Sequence, residues 1–145
     1  MKRNIRNEVY ETNSSSVHSI VVMKEGLAPN EMRLNKDGYI VVYYGFFGKN
    51  YNYYTSQQEK LSYLVTKLYY KYWDTEEVIN SWQFHDLEEA IMDYVSGCSG
   101  LKIDTSNDPY IDHQSVEDEF IDYWDKDAII SFVFGKDVAL KTTCD

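Results

Sequence analysis

The sequence predicts an α+β fold in a single domain that spans residues 1–145. β-branched and aromatic runs lie near both ends of the chain, and segments with helical periodicity lie between them. No internal repeat or low-complexity linker divides the chain, and its 145 residues, 43% of them hydrophobic, suit one compact domain. We therefore expect a mostly antiparallel sheet with strands near both termini and three to four helices between them.

The first strands are predicted at residues 4–10 and 17–23, which would form a β-hairpin across the polar residues between them. A turn at 36–38 (KDG) leads into a third strand at 39–44, which is β-branched and aromatic throughout. The sequence 45–48 (GFFG) then breaks this strand, and a tyrosine-rich stretch follows.

A helix over residues 55–73 is the clearest local prediction. Ser56 and Glu59 have the spacing of a capping box, in which the two side chains satisfy backbone N–H groups at the helix start. One apolar stripe follows at helical spacing, and it consists of Leu61, Leu64, Val65, Leu68 and Tyr72. This stripe requires a covering sheet or helix.

Three further helices are predicted. One covers residues 75–82, and another covers 86–95, with Asp86 and Glu89 as cap partners and Gly97 as its stop. The last covers 115–126. Ser115 would cap this last helix, and acids occupy its first turn, where the helix dipole favours them.

The chain is predicted to close with a β-hairpin. Residues 128–134 (AIISFVF) and 138–142 (VALKT) have β-leaning compositions, and the sequence 135–137 (GKD) between them is typical of a turn. With the strands near the amino end, this hairpin completes the predicted α+β arrangement.

Charge divides the chain unevenly. Residues 1–72 carry a net charge of +4 and residues 73–145 carry −14, within a total of −10. This acidic surplus argues against direct nucleic-acid binding, which depends on neutralising phosphates, and it suits a basic partner. A solvated surface that aids solubility, or attraction between the two halves, would give the same pattern.

The cysteines and the hydropathy of the sequence predict in which compartment the protein is located. Cys98 and Cys144 form no metal-binding pair and are expected to be reduced. No secretory leader is recognisable, and no apolar run reaches the roughly 18 residues of a membrane span. We expect a cytoplasmic protein.

A polar segment at residues 13–19 (NSSSVHS), the first polar segment, raises the question of a ligand site. Short hydroxyl and amide side chains can complete their own turn or leave backbone N–H groups to cradle an anion. The candidate binding residues here are Asn13, Ser14, Ser15, Ser16 and Ser19. His18 lies among them and is a candidate catalytic residue or a local hydrogen-bond partner.

The second polar segment, residues 112–115 (DHQS), precedes the predicted last helix. Asp112 can orient and charge the imidazole of His113 for general base catalysis, with a serine of the first polar segment as nucleophile. Gln114 and Ser115 are candidate binding residues. The alternative is an ordinary helix entry in which Ser115 is the cap, and no nucleophile motif favours catalysis.

The acids around the second polar segment do not predict a calcium loop. Asp104, Asp108 and Asp112 have partial EF-hand spacing, but Pro109 stands where glycine is required and Ser115 where glutamate is required. No recurring His/Cys spacing supports a looser site, so we expect no metal and no cofactor.

Tyrosine is concentrated between Tyr39 and Tyr72, where ten of the fourteen tyrosines lie. So many hydroxyls are hard to satisfy in a core, which predicts that part of the cluster forms a surface patch suited to protein contacts. Stacking on bases is the alternative, although few basic residues accompany the rings. The candidate interface residues are Glu117, Asp118, Glu119, Asp122, Asp125, Tyr51, Tyr53 and Tyr54.

Four segments resemble a family of small phage and prophage proteins of Gram-positive bacteria for which no activity is assigned. They are 11–19 (ETNSSSVHS), 45–48 (GFFG), 60–64 (KLSYL) and 110–115 (YIDHQS). The resemblance implies a phage accessory protein, and small acidic proteins of this kind often inhibit host defences, as anti-CRISPR proteins do, frequently by mimicking nucleic acid.

Two functions follow as hypotheses. The first is an inhibitor that binds a basic groove of a host defence protein through an acidic, tyrosine-rich surface centred on residues 104–127, which carry nine acids and one lysine. The second is a small enzyme or a nucleotide- or phosphate-binding protein, whose composite pocket would combine the two polar segments. Charge, size and the resemblance favour the first; the oligomeric state stays open.

Overall fold

The computed structural model describes residues 16–22, 26–48, 52–111 and 124–144. These residues form both helices and short strands, which confirms an α+β fold. The strands are β1 (Ser16–Val22), β2 (Tyr39–Tyr43), β3 (Phe46–Phe47), β4 (Asn52–Tyr54), β5 (Gly100–Asp104), β6 (Tyr110–Ile111) and β7 (Val138–Cys144). The helices are α1 (Gln57–Tyr72), α2 (Thr75–Asn80), α3 (Trp82–Tyr94) and α4 (Lys126–Phe134).

The strands form three small sheets of mixed direction. The strand β7 lies between β1 and β4 and is antiparallel to both, whereas β2 pairs with β5 and β3 pairs with β6 in parallel. Parallel partners need a long crossover, and α1 to α3 supply it here. The described residues therefore form small sheets of both directions and not clearly the mostly antiparallel sheet that the sequence predicts.

The strand predictions are confirmed only in part. The predicted strands at 17–23, 39–44 and 138–142 are confirmed as β1, β2 and β7. In the described residues β1 pairs with β7, and residues 4–10, its predicted hairpin partner, lie outside them. The sequence missed β5, and it placed only a break and a loop where β3, β4 and β6 form.

The helix α1 is confirmed together with its start. Ser56 Oγ accepts a hydrogen bond of 3.0 Å from the backbone N–H of Glu59, and the Glu59 carboxylate accepts one from the N–H of Ser56, which completes the capping box. The predicted stripe is buried at Leu61, Leu64, Val65 and Leu68, and Tyr72 is half-buried.

The helices α2 and α3 are also confirmed, but α3 begins four residues before the predicted Asp86. Ser81 is its N-cap and accepts a hydrogen bond of 3.2 Å from the N–H of Phe84, so Asp86 and Glu89 lie inside the helix and do not cap it. The same serine ends α2, which leaves no loop between the two helices.

The predicted strand at 128–134 is wrong, because these residues form most of α4. Asp125 caps this helix by accepting a hydrogen bond of 2.8 Å from the N–H of Ala128. Ile129, Phe132 and Val133 then recur at helical spacing and are buried. Residues 115–123 of the predicted last helix lie outside the described residues, and its predicted end at Lys126 is where α4 begins.

One cluster of buried side chains joins these elements. It includes Ile40 and Val42 from β2, side chains of all four helices, and Leu140 at the centre of the three-stranded sheet. Within the described residues, no helix combines the length and the apolar character that crossing a membrane requires.

Candidate interaction surface

The ten residues from Trp73 to Trp82 place large apolar side chains in solvent. Trp73 is 61% exposed, Ile79 is 42% exposed and Trp82 is 57% exposed. The helix between the tryptophans is short, and Val78 is its only buried residue. We name the exposed residues of 73–93, which lie on and beside α2 and α3, the acidic tryptophan surface.

Acids surround these apolar side chains. Asp74, Glu76 and Glu77 are all exposed, and Asp74 also caps α2 by accepting a hydrogen bond of 3.0 Å from the N–H of Glu77. Residues 73–93 contain seven Asp and Glu residues and no Lys or Arg. The surface therefore carries a concentrated negative charge beside apolar rings.

The helix α3 extends this surface along one face. Trp82, Asp86, Glu89 and Asp93 follow one another at helical spacing, so they share a side of the helix. Trp82, Glu89 and Asp93 are exposed, and Asp86 is half-buried. The opposite side carries the buried Leu87 and Ile91 that hold α3 in the core.

A lysine from residues 73–145, the acidic half of the chain, lies against this face of α3. Lys126, at the start of α4, forms an ion pair with Glu89, and its hydrogen bond lowers the pKa of that carboxyl group. The same hydrogen bond raises the pKa of Lys126, with smaller contributions from the charges of Asp93 and Asp86. One cation thus faces three carboxylates, and the face keeps an excess of negative charge.

Buried hydrogen bonds hold the base of the surface in place. The Tyr72 hydroxyl donates a hydrogen bond of 2.6 Å to Gln83 Oε1, and the indole N–H of Trp124 donates one of 3.0 Å to the Gln83 carbonyl. Tyr44 and Thr75 share a further bond of 2.7 Å, and burial raises the pKa of the Tyr44 hydroxyl. These contacts tie α2 and α3 to β2 and to the end of α1.

Trp73 itself adopts an unusual backbone conformation. It ends α1 with φ 61° and ψ 21°, the left-handed region that glycine normally supplies at a helix end. Its ring contacts those of Tyr70, at 4.8 Å between centroids, and Tyr69, at 5.9 Å. The three rings form a small aromatic cluster at the corner between α1 and α2.

The predicted interface residues are placed only in part. Glu117, Asp118, Glu119, Asp122 and Tyr51 lie outside the described residues. Asp125 caps α4, Tyr53 is 50% exposed on β4, and Tyr54 is half-buried with its ring 5.1 Å from that of Phe47. One of these tyrosines is therefore available for contacts and the other belongs to the packing.

Most residues of the two polar segments lie outside the described part of the chain. Asn13, Ser14, Ser15, Asp112, His113, Gln114 and Ser115 lie outside it. Ser16, His18 and Ser19 belong to β1, where their backbones pair with those of Cys144, Thr142 and Lys141. The composite pocket and its catalytic use stay predictions.

Of the acids considered for a metal site, Asp104 has other contacts in the described part of the chain, and Asp112 lies outside it. Asp104 accepts hydrogen bonds from the backbone N–H of Ser106, at 2.8 Å, and from its hydroxyl, at 2.6 Å. These bonds lower the pKa of the Asp104 carboxyl group. In the described residues, no three His, Cys, Asp or Glu side chains are grouped so that they could hold a metal ion.

An open groove of about 540 Å³ lies at the start of α1. Arg33, Leu34 and Gln58 line it together with Gln57, whose side chain donates to the Pro29 carbonyl at 2.9 Å and accepts from the N–H of Glu31 at 2.7 Å. Because both polar atoms of Gln57 are occupied, this groove presents no unpaired buried group to a ligand.

Sequence reasoning did not find the two exposed tryptophans. Trp73 ends the helix predicted over residues 55–73, and Trp82 ends the one predicted over 75–82, so neither pattern indicates an exposed ring. One signal was available for Trp82, because it lies on the opposite face of α3 from Leu87 and Ile91 at helical spacing. Comparison with family models, curated proteins and solved structures finds no match to this chain.

Proposed function

We propose that the protein is a binding protein whose acidic tryptophan surface docks on a basic surface of another protein. The observation that carries this proposal is the exposure of Trp73 and Trp82 among residues 73–93, which hold seven acids and no Lys or Arg. Tryptophan is enriched at the centres of protein interfaces, and complementary charge guides association and selects partners.

The partner that we propose is a host defence protein with a basic groove, and the protein would act as a phage-derived inhibitor in the cytoplasm of the host cell. The resemblance of four segments to small phage proteins supports this origin. The negative charge supports an anti-CRISPR-like inhibitor that occupies a nucleic-acid groove, because such a groove is lined with cations that contact phosphates. The protein itself would not bind nucleic acid.

A phage-plating assay tests this proposal. Host strains that each carry one defined defence system are challenged with phage, with and without expression of the protein. We expect restored plaque formation with a system whose effector has a basic nucleic-acid groove. If no tested system of that class is inhibited by the stably expressed protein, the proposal is wrong.

A charge-neutralised variant locates the surface. In Glu76→Gln/Asp93→Asn, two exposed carboxylates of the acidic tryptophan surface are lost, and we expect weaker inhibition. The matched control is Asp37→Asn/Asp108→Asn, which removes the same number of exposed charges elsewhere. Equal inhibition by both variants would show that another part of the chain makes the contact.

Binding between the purified protein and the purified effector gives an independent measure. Exposed charges separated by more than a Debye length of about 10 Å at 0.1 M salt are largely screened, so the affinity should fall steeply as salt rises. The slope against salt should be shallower for Glu76→Gln/Asp93→Asn than for its control. Salt-independent affinity would contradict an electrostatic docking surface.

A further inference from the structure

The conformation and the exposure of Trp73 are both unfavourable for the fold. A non-glycine residue in the left-handed region, and a bulky one above all, is uncommon because its side chain is strained there. A buried indole would offset this strain, but 61% of Trp73 is exposed. Glycine would meet the backbone requirement without strain, so the fold alone does not account for a tryptophan at this corner.

We propose that Trp73 is the anchor of the acidic tryptophan surface and that its ring receives an arginine side chain from a basic segment of the partner protein. This inference rests on the proposed function and names the chemistry of its contact. An exposed indole face is the best of the protein rings at attracting a cation. Asp74 follows Trp73 directly, and Glu76 and Glu77 lie on the next turn, where they can pair with the same guanidinium or with its neighbours.

Neighbouring groups leave the ring available to such a cation. Lys71 is the nearest cation in sequence, but its Nζ lies over the ring of Tyr72, 5.9 Å from the centroid. Tyr69 and Tyr70 contact the Trp73 ring at tilts of 68° and 51°, which fixes its orientation at the corner. A positioned ring loses little side-chain entropy when a partner binds.

Arginine is favoured over lysine because the exposed ring of Trp73 is followed in the chain by carboxylates. A guanidinium is planar and weakly hydrated, so it stacks on an aromatic face and still donates hydrogen bonds in its plane to carboxylates. An ammonium group is compact and strongly hydrated, and it gains less from an exposed ring. Trp82 lies beyond the other end of α2, which is about 9 Å long at 1.5 Å per residue, and it offers a second ring to an extended basic segment.

The test uses the full-length protein and two capped probes of equal length, an oligoarginine peptide and an oligolysine peptide. Titration calorimetry compares the wild type with Trp73→Gly and Trp73→Phe. We expect Trp73→Gly to weaken oligoarginine binding about three- to fivefold, from the usual strength of an exposed cation–π contact, and Trp73→Phe to restore part of it. The loss with oligolysine should be smaller.

Thermal unfolding separates this role from a structural one. Because glycine adopts the left-handed region freely, the melting temperature of Trp73→Gly should be no lower than that of the wild type. Unchanged oligoarginine binding, or an equal loss with both peptides, would overturn the proposal. If Trp73→Gly does not fold, Trp73→Asn is used instead, since asparagine also tolerates this conformation.

Two further outcomes are distinguishable. Self-association that depends on Trp73, measured by sedimentation, would identify a second copy of the chain as the occupant and overturn the arginine contact. If the wild-type protein protects phage in the plating assay but Trp73→Gly binds the peptides as tightly as the wild type does, this inference is wrong and the proposed function stands. If the wild-type protein does not protect phage but Trp73→Gly loses oligoarginine binding, only the proposed function is wrong.

Discussion

The ammonium group of Lys60 donates a hydrogen bond of 2.7 Å to the backbone carbonyl of Val138 and joins α1 to β7 inside the core. The lysine is only 2% exposed, and its Nζ lies 6.0 Å from the centre of the Phe132 ring. Burial lowers the pKa of Lys60 from 10.5 to about 8, and the charge of Glu31 opposes this only in part. The fold therefore holds a cation that it would hold more easily as a neutral amine.

This burial predicts a stability that rises with pH. Between about pH 8 and pH 10.5 the unfolded lysine keeps its proton while the folded one releases it, so the unfolded state binds more protons and the free energy of unfolding increases. The gain is at most about 3 kcal/mol over the whole range, at about 1.4 kcal/mol per pKa unit. Urea titrations from pH 7 to about pH 10 measure it.

Replacing the lysine isolates its part of this rise. Lys60→Met keeps the length of the side chain and removes the titrating group, so its free energy of unfolding should be nearly flat over the same pH range. Tyr44, with its raised pKa, acts in the opposite direction, because above pH 10 the unfolded tyrosine releases its proton while the folded one keeps it, which lowers the free energy of unfolding. A variant with the same slope as the wild type would show that Lys60 is not the source.

The ion pair between Lys126 and Glu89 predicts a pH dependence at the acidic end. Because the pKa of Glu89 is lower in the folded state, its contribution is present at neutral pH and is lost as pH falls through the folded-state pKa. Glu89→Gln should therefore lose less stability than the wild type between pH 6 and pH 3. Asp37→Asn is the control, and its acid titration should follow that of the wild type.

The start of α1 predicts a sharp difference between two substitutions. Ser56→Ala removes the acceptor for the N–H of Glu59 and should lower the free energy of unfolding by about 1 kcal/mol. Glu59→Gln keeps the capping box, since glutamine also accepts from the N-cap N–H, and should stay close to the wild type. Chemical denaturation of both variants measures the difference, and equal losses would contradict the role of the cap.

The elements that the sequence predicts well are those whose local signals agree with their surroundings. In α1, the cap at Ser56 and the stripe from Leu61 to Leu68 point to the same helix, and the core covers that stripe. The strand β2 combines β-branched residues with a clear turn before it. Where the capping residues, the spacing of the apolar residues and their burial all indicate the same element, no tertiary contact has to override a local preference.

Predictions are wrong where the amino-acid composition indicates one element and the spacing of the apolar residues indicates another. Residues 128–134 are rich in Ile, Val and Phe and were predicted as a strand, yet Asp125 supplies a cap and three of the apolar residues recur at helical spacing. The short strands β3, β5 and β6 form through pairing with distant parts of the chain, which no local pattern records. The exposure of Trp73 and Trp82 was missed for the same reason, because composition alone does not tell which aromatic residues the core leaves outside.

The turn between α4 and β7 predicts a strong constraint at Gly135. A β-carbon at this position would clash with the backbone oxygen of Ser131 and would lie 2.5 Å from the Val138 Cγ2. The backbone oxygen belongs to the last turn of α4 and accepts the hydrogen bond of 3.0 Å from the N–H of Gly135, so it cannot move away without opening the helix end. Gly135→Ala should lower the free energy of unfolding by about 1–3 kcal/mol, the usual cost of overpacking.

Lys136→Ala, at an exposed position of the same turn, is the matched control and should stay close to the wild type in the same urea titration. A stable Gly135→Ala variant would mean that α4 ends differently from the geometry described here, and it would remove the support that this turn gives to the central strand of the sheet.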